Sequence, residues 1–370
     1  PMDAVRQKLV NESHQRVAGR VISCIVMIML YFFSYFQRVA IPGTIFDELQ
    51  MEFTLSASTV AGLGSVFIFV YAFSQLFVGV LADRLGGRRL LLAGGVLMCL
   101  GEMLFPLSKT VFALYACRII TSLGASGIYL SIVKEIDTLF PAKNFSLILG
   151  IAIFFGYSGG LFGTLPFERL VSRFGWRNSL VLIGVVSCLV LGVCFFVLQR
   201  FKTPEGGSTP ISFHPYRSVL ENRYSYPILI SGSINFALYF VIQTTLGKKF
   251  LQDVAGVSSK NAAMITFVMM FCSMLLSLIA GMIPKLFDNR RKVFVQLSTG
   301  ITFVASVLSL VSLITGAGEW AFLVLFAVFA VSSGFGPLFT CLIREVNSPR
   351  NVGVSVSLHN CNCYLQVAIF

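Results

Sequence analysis

The chain has 370 residues, of which 56% are hydrophobic and only 12% are charged, about half the charged share of a typical soluble domain. A single soluble core could not bury this much apolar surface, and a disordered chain would be polar. The composition therefore predicts a protein that crosses a membrane several times. The net charge of +12 does not indicate nucleic-acid binding, because the basic residues sit in short loops between apolar runs.

Eight stretches of at least 20 residues contain no Asp, Glu, Lys or Arg, and each could cross about 30 Å of hydrocarbon as a helix. These stretches are 53–82, 144–167, 178–199, 224–247, 261–284, 293–318, 320–343 and 351–370. Three further spans, 21–46, 90–107 and 111–133, are each interrupted by one charge, namely Arg38, Glu102 and Arg118. We therefore predict eleven helical spans and no β-barrel, whose alternating segments are missing.

The charged segments give the expected organisation. A polar tail (1–20) precedes six spans (21–200), a Pro- and Gly-containing linker (201–223) follows, and five spans complete the chain (224–370). With the N-terminus inside, the inner segments hold 19 Lys and Arg and the outer segments hold 7. This bias predicts a cytoplasmic N-terminus, and we expect a monomer in the cell (inner or plasma) membrane.

Cofactors are not expected. The nine cysteines form no CxxC pair and show no metal-ligand spacing, so we interpret them as free core residues and predict no metal site. The chain also lacks the phosphate-binding pattern GxxxxGK[ST], so nothing supports an ATP-driven pump. The expected partners are the lipid bilayer and a small-molecule substrate.

The loop after the second predicted span reads Gly79-Val-Leu-Ala-Asp83-Arg84-Leu-Gly86-Gly87-Arg88-Arg89, and a related glycine and arginine pair recur at 281–292. Such repeats are typical of secondary transporters. The loop resembles the G-x-L-a-D-r-x-G-r-r motif of the major facilitator superfamily. This resemblance implies an all-α membrane protein with two six-helix halves, in which spans one, four, seven and ten line a central cavity. The chain reaches only the eleventh span, so we expect the twelfth to be missing by truncation, unless this is a natural eleven-span variant.

The same motif indicates a gate. Gly79 permits close helix packing, and Asp83 can face the positive N-terminal end of another helix. We predict that the helix whose N-terminal end faces Asp83 is span eleven. This span opens with Ser348-Pro349, which fit the N-cap and first positions of a helix. The alternative is a basic loop with a single acid. The predicted gating residues are Gly79, Asp83, Arg84, Arg88 and Arg89.

Arg38 is the leading candidate for substrate contact. It shares a helical face with Tyr31, Ser34 and Tyr35, and an intramembrane charge usually faces a cavity. The run 35–42 resembles the first span of the organic-anion and sugar-phosphate permease branch of the superfamily, which implies that Tyr35 and Arg38 line an anion site. The alternative is an arginine that extends to the membrane surface.

Two more spans carry candidates. Arg118 is similar to the span-four arginine of that branch, but it could instead pair with Glu102 across the turn at Thr110. Asn235, Tyr239 and Gln243 are spaced to share one face of span seven, where they could bind a ligand or join helices. Sugar-phosphate antiporters carry a second basic residue in this span, and its lack here disfavours a phosphate ester.

The residues expected for proton coupling depart most from those of the branch that the sequence resembles. Proton-coupled carboxylate transporters of this branch carry two acids, at positions that are occupied here by Gln37 and Ala125. We therefore expect exchange or facilitated diffusion, with Glu102 and His359 as the remaining proton-carrier candidates.

The predicted function is secondary active or facilitative transport of a small organic anion, a carboxylate or a phosphorylated metabolite, by alternating access. The alternative is an exporter of amphiphilic or aromatic compounds, suggested by the 36 phenylalanines. An intramembrane serine protease that uses Ser158 and His359 is a remote third possibility, and we expect the protein not to be an enzyme.

Overall fold

The computed structural model describes residues 2–201, 214–243, 247–286 and 290–369, which contain helices and turns but no strand. The helices are α1 (Met2–Ala40), α2 (Phe46–Phe53), α3 (Ala57–Leu85), α4 (Gly87–Leu104), α5 (Val111–Leu139), α6 (Ala142–Phe162), α7 (Leu165–Phe174), α8 (Trp176–Arg200), α9 (His214–Glu221), α10 (Ser225–Val241), α11 (Gly247–Asp253), α12 (Ser259–Leu286), α13 (Arg291–Ile314), α14 (Glu319–Gly334), α15 (Gly336–Glu345) and α16 (Val352–Ile369).

The all-helical membrane fold is confirmed. In the described parts of the chain, nine stretches are long and apolar enough to cross a membrane. The seventh and eleventh predicted spans are the shorter helices α10 and α16, of 17 and 18 residues. Large apolar side chains such as Phe112, Phe196 and Trp320 are exposed on the bundle, as they are on a surface that faces lipid rather than water.

Two spans are broken into two helices each. The fifth predicted span is formed by α6 and α7, and the tenth by α14 and α15. Pro166 and Pro337 stand in the first turns of α7 and α15, where a missing backbone N–H costs nothing. Directly after the break before α15, Gly336, Phe339 and Thr340 line a cavity inside the bundle.

The predicted linker is partly helical. Residues 202–213 lie outside the described residues, but α9 follows them within the same segment. Its Tyr216 and Val219 are buried against Val80 of α3 and Val354 of α16. The linker thus packs against one helix of the N-terminal half, α3, and one helix of the C-terminal half, α16.

The bundle has two ends, which we name after one residue each. At the Glu52 end, the Glu52 carboxylate accepts hydrogen bonds from Trp176 Nε1 (2.7 Å) and Arg177 Nε (2.9 Å) at the start of α8. The Asp83 end lies at the other end of α3 and contains α9 and the start of α16.

Close packing of α4 on α5 depends on small residues. A Cβ atom added to Gly124 would lie 2.2 Å from the backbone nitrogen of Met98 and 2.4 Å from the carbonyl oxygen of Gly94. Both contacts are with backbone atoms, which cannot rotate away. Helices in a membrane approach each other closely through such residues.

We therefore predict that Gly124→Ala separates α4 from α5 and destabilises the protein by about 1–3 kcal/mol, the usual range for overpacking. Gly192→Ala is the matched control, because nothing lies within 4 Å of a Cβ atom there and the residue is also helical. Thermal unfolding in detergent measures both. Equal melting temperatures for the two variants would contradict this packing argument.

Candidate functional site

A small cavity of about 60 Å³ lies at the centre of the bundle. Its walls come from α1, α5, α10 and α14–α15, the spans expected to line it, and also from α3, α6 and α16. The lining residues are Tyr31, Tyr35, Tyr71, Tyr129, Ile153, Tyr157, Gly232, Phe236, Ser332, Ser333, Gly336, Phe339, Thr340, His359, Asn360, Cys363 and Tyr364.

Tyrosine dominates the cavity wall: six of the eleven tyrosines in the chain line it. Their rings touch one another, with centroids 4.8 Å apart for Tyr35 and Tyr157 and 4.6 Å apart for Tyr71 and Tyr364. A tyrosine presents an apolar ring and a hydroxyl that needs a partner when buried. The wall can therefore contact apolar groups and donate hydrogen bonds.

Hydroxyl pairs across the cavity join N-terminal to C-terminal helices. The Tyr129 hydroxyl lies 3.1 Å from Thr340 Oγ1, and the Tyr157 hydroxyl lies 2.6 Å from Ser333 Oγ. These pairs link α5 to α15 and α6 to α14. They satisfy buried polar groups and hold the two sides together at cavity depth.

Arg38 packs directly behind this tyrosine layer. Its guanidinium carbon lies 4.6 Å from the ring centre of Tyr35, 4.5 Å from that of Tyr71 and 5.2 Å from that of Tyr364. The residue is 8% exposed, which excludes the alternative in which it reaches the membrane surface. Nη1 donates to the Tyr364 hydroxyl, but Nε and Nη2 are buried and no residue in the described parts of the chain accepts a hydrogen bond from them.

Arg118 is buried in a different way. Nε donates to the Leu63 carbonyl at 3.2 Å, Nη1 to the Gln37 carbonyl at 3.1 Å and Nη2 to the Ile41 carbonyl at 2.9 Å. Two of these carbonyls lie at the C-terminal end of α1, where helix carbonyls lack internal partners and the dipole is negative. Arg118 therefore caps the helix that carries Arg38.

The expected pair of Arg118 with Glu102 is not formed. The Glu102 carboxyl group is buried between α4 and α8 beside Ser187, and the described residues give neither of its oxygens a hydrogen bond. Backbone carbonyls hold Arg118 instead. Glu102 is also absent from the cavity wall.

The three polar residues predicted for span seven, two in α10 and Gln243 just after it, do not act as one face. Asn235 Nδ2 donates to Thr299 Oγ1 of α13 at 2.9 Å, which points it away from the cavity. Tyr239 is buried beside Ser273 of α12, and Gln243 Nε2 lies 3.3 Å from the Met270 sulfur. None of the three lines the cavity. Their spacing is helical, but their contacts join α10 to α12 and α13.

The contact expected between Asp83 and span eleven is present. Asp83 Oδ1 accepts from the backbone N–H of Gly353 and Oδ2 from that of Val354, both at 3.0 Å. These N–H groups lie in the first turn of α16, where they have no partner within the helix and the dipole is positive. Lys134 Nζ of α5 lies 2.6 Å from the same carboxylate. We refer to these contacts as the Asp83 clamp.

The clamp depends on a close approach of α3 and α16. A Cβ atom on Gly79 would lie 2.0 Å from Ser357 Oγ and 2.7 Å from the Tyr216 hydroxyl. That hydroxyl donates to the Leu76 carbonyl at 2.6 Å and lies 2.9 Å from Ser357 Oγ. Burial raises the pKa of Tyr216 to about 12, so the phenol keeps the proton that it donates.

The arginines of the motif occupy different places. Arg84 and Arg89 are exposed, whereas Arg88 is buried and donates its backbone N–H to Glu135 Oε1 (2.9 Å) and Nη1 to the Leu198 carbonyl (3.1 Å). Arg88 therefore anchors α4 to α5 and α8. A further ion pair, Arg344 with Asp137, joins α15 to α5 at the same end.

Several cavity residues were missed by the sequence analysis, among them Tyr129, Tyr157, Ser333 and Tyr364. They lie in four different spans, and no shared spacing links them in the sequence. One usable signal existed, since a tyrosine in the middle of a span must find a partner for its hydroxyl. His359 does line the cavity, where it stacks on Phe339 with ring centres 6.2 Å apart.

The protease alternative is wrong. Ser158 donates its hydroxyl to the Phe155 carbonyl of its own helix at 2.6 Å, so it has no base to activate it. His359 faces the cavity instead, with Cys363 Sγ 3.8 Å from its Nε2. The pair required for nucleophilic catalysis is not assembled.

Comparison with known proteins agrees with this architecture. The model of the Major Facilitator Superfamily matches residues 24–369. Human Monocarboxylate transporter 2 is 27% identical over 338 residues, which cover 82% of this chain and 68% of the relative. The probable sulfoacetate transporter SauU of Cupriavidus necator is 25% identical over 173 residues, 47% of this chain and 40% of the relative. The chain thus spans only part of the length of these relatives.

A solved structure shows the same fold. The crystal structure of the superfamily transporter FucP in the outward conformation superimposes with a TM-score of 0.72 at 17% identity and covers 95% of this chain and 90% of that one. At this identity the likeness concerns the fold alone. The chain belongs to the major facilitator superfamily and is a multi-pass membrane transporter of small molecules, not an enzyme.

Proposed function

We propose that this protein transports a small organic anion by alternating access and that Arg38 binds the anionic group. The observation that carries the proposal is the pair of buried donors, Nε and Nη2, for which the described residues provide no hydrogen-bond acceptor. A buried charge without a counter-charge is costly, and such charges in membrane helices mark substrate pathways. The described residues place no carboxylate in ion-pair contact with Arg38.

The geometry of the free donors favours a carboxylate. Nε and Nη2 form one edge of the planar guanidinium, and such an edge binds both oxygens of a carboxylate in parallel. Nη1 is already used by Tyr364, which leaves a single bidentate edge. The tyrosine rings of the cavity would contact the apolar remainder of the substrate.

The relatives support the same class of substrate. Their names, monocarboxylate transporter and probable sulfoacetate transporter, both denote carriers of organic anions. The resemblance of the run 35–42 to the organic-anion branch points in the same direction. A phosphorylated metabolite remains within the proposal, although a single arginine suits a singly charged carboxylate better than a phosphate ester.

Arg38→Ala tests the anion site. It removes both free donors, so we expect uptake of the transported anion into proteoliposomes to fall at least about tenfold, as for the loss of charged hydrogen bonds of about 1.5–3 kcal/mol. The anion is first chosen by thermal stabilisation of the detergent-solubilised protein with lactate, benzoate or glycerol phosphate, since binding to the folded state raises its stability. Arg38→Lys keeps the charge but loses the fork and should recover only part of the uptake.

Arg118→Gln is the matched control for the loss of a buried arginine. Three of its donors bind backbone carbonyls, so we expect a lower melting temperature but a preserved stabilisation by the anion. Unchanged anion uptake by Arg38→Ala would refute the proposed site.

The tyrosine-rich wall also favours a second candidate, an exporter of aromatic or amphiphilic compounds. Aromatic rings bind such compounds without a charge, so the exporter would not need Arg38. Transport of a neutral aromatic compound that survives Arg38→Ala, together with no response to any carboxylate, would favour this candidate.

We also propose that the Asp83 clamp closes its end of the bundle during transport. The carboxylate joins α3 to the first turn of α16, and Lys134 neutralises it from α5. Opening this end requires both backbone hydrogen bonds to break. Gly79, Arg84, Arg88 and Arg89 belong to the same proposed gate, in which Gly79 sets the helix spacing and Arg88 anchors α4.

Asp83→Asn should weaken the clamp, because an amide has one acceptor oxygen instead of two and no charge to interact with Lys134 or the helix dipole. We expect a wider distribution of distances between spin labels at Thr138 and Arg350, two exposed residues at this end. Ligand affinity should change less than the distance distribution.

Glu221→Gln is the control for the loss of an acid at the same end. Its ion pair with Arg217 is exposed and lies within α9, so it contributes little. The same distance distribution for Asp83→Asn and wild type would count against the clamp as a gate.

We propose exchange or facilitated diffusion as the mode of transport. The two positions where proton-coupled relatives of the branch carry acids hold Gln37 and Ala125, which are buried and cannot take up a proton. Glu102 and His359 are the other titratable candidates. Only His359 lines the cavity.

An imposed pH gradient across proteoliposomes tests the mode. We expect counter-anion on the opposite side to accelerate uptake, whereas the pH gradient alone should not drive accumulation. Accumulation that follows the gradient and disappears in Glu102→Gln, or in His359→Gln, would show that one of these residues couples transport to protons.

The topology completes the proposal. The excess of Lys and Arg in the segments assigned to the inside favours a cytoplasmic N-terminus. The Asp83 end would then face the cytoplasm, in the cell membrane. We propose a monomer, because the cavity is closed by helices of one chain.

A further inference from the structure

The short linker helix α9 contacts both halves of the chain, and the proposed Asp83 clamp does not include it. Its Tyr216 and Val219 are buried in a small apolar cluster with Val80 of α3 and Val354 of α16, which is distinct from the main core of the bundle. Tyr216 is 8% exposed and Val219 is fully buried, whereas Leu220 beside them is 42% exposed. One face of α9 therefore covers the seam between α3 and α16.

The Tyr216 hydroxyl binds both helices at this seam. It donates to the Leu76 carbonyl of α3 at 2.6 Å, and it lies 2.9 Å from Ser357 Oγ of α16. A carbonyl inside a helix accepts one bond within the helix and keeps a second lone pair, which is the one that the phenol uses. A single hydroxyl therefore connects the linker to the backbone of an N-terminal helix and to a side chain of a C-terminal helix.

Gly79 makes this bond possible, because it leaves the surface of α3 bare beside the phenol. A Cβ atom at this position would lie 2.7 Å from the Tyr216 hydroxyl. Gly79 follows Leu76 by three positions, so both residues lie on one face of α3. The glycine of the loop motif thus has a second role besides the close packing of α3 on α16, since it opens the Leu76 carbonyl to the linker.

The other end of α9 is fixed to the C-terminal half. Asn222, directly after α9, donates from Nδ2 to the Val346 carbonyl at 2.7 Å and to Asn347 Oδ1 at 3.2 Å. Both acceptors directly follow α15, and the chain itself continues from Asn222 into α10. The chain and Asn222 thus join α9 to one half of the protein, whereas Tyr216 reaches the other half.

We propose that α9 is a strap carried by the C-terminal half, and that its Tyr216 hydroxyl holds α3 until the Asp83 end opens. This inference rests on the gate proposed above, because it adds a second fastening beside the Asp83 clamp. When α16 moves away from α3, the strap moves with α16 and α10, and the bond from Tyr216 to the Leu76 carbonyl breaks. The contact of Tyr216 with Ser357 is kept, because both residues belong to the moving half.

Tyr216→Phe tests the fastening, because it keeps the ring and removes only the hydroxyl. We expect the fraction of molecules that are open at this end to rise about two- to tenfold, the effect of one lost hydrogen bond. Distances between spin labels at Thr138 and Arg350 measure this fraction in the full chain. Stabilisation by the transported anion should change less than about twofold in affinity, since Tyr216 does not line the cavity, and this shows that the variant is folded.

Tyr224→Phe is the matched control. Tyr224 is 59% exposed, and its hydroxyl accepts a hydrogen bond from the neighbouring Arg223, so its loss should leave the distances unchanged. Distances that spread in Asp83→Asn but not in Tyr216→Phe would refute the strap and leave the clamp intact. Distances that spread in neither variant would refute the strap and the gate together.

A third label, at the exposed Ser218 of α9, shows which half carries the strap. In Asp83→Asn we expect the distance from Ser218 to Thr138 of α5 to lengthen together with that from Thr138 to Arg350. The distance from Ser218 to Arg350 should stay constant, because both labels are on the moving half. A longer distance from Ser218 to Arg350 at a constant distance from Ser218 to Thr138 would place the strap on the N-terminal half and overturn the proposal.

Discussion

Two buried arginines set the constraints on this transporter, because a charge in a low-dielectric bundle must be compensated or used. Arg118 is compensated by three backbone carbonyls, one in α1, one directly after the end of α1 and one in α3. It thereby fixes the end of α1. Arg38 lies less than one helical turn before that end, and two of its donors find no acceptor among the residues that the structure describes. The same residue type thus serves once as a structural cap and once as the proposed anion site.

The proposed gate and the proposed site share helices. Asp83 lies on α3 about 18 Å from Tyr71, and Gly353 lies on α16 about 16 Å from Tyr364, at about 1.5 Å per residue. Tyr71 and Tyr364 both touch the Arg38 guanidinium. Any movement of α16 relative to α3 at the Asp83 clamp therefore also changes the surroundings of Arg38. Rigid helices can carry this coupling without an intermediate chain of side chains.

Hydropathy was enough to predict the helical spans, because a membrane leaves few options for the backbone. The Asp83 contact was also predictable, since an acid at one helix end and a capped helix start are both visible as sequence patterns. The partners of Arg118 could not be predicted, because they are backbone carbonyls and every residue has one. The predicted position of Asn235 at the substrate site was not met for a related reason. Helical spacing places Asn235 on one face of its helix, but only the packing of the helices decides that this face meets Thr299. The tyrosine wall combines residues from 31 to 364, and no local pattern joins them.

The positive charge of Arg38, which lies behind the tyrosine wall of the cavity, bears on how the transport cycle would run. In this structure Tyr364 provides one acceptor for Arg38, and the described residues provide none for the other two donors. A bound carboxylate would provide two acceptors and a counter-charge, so the loaded cavity would close at a lower free energy than the same cavity without an anion. A carrier of this kind changes conformation more easily when loaded than when unloaded. That difference favours exchange of one anion for another, and it requires no titrating acid at the positions of Gln37 and Ala125.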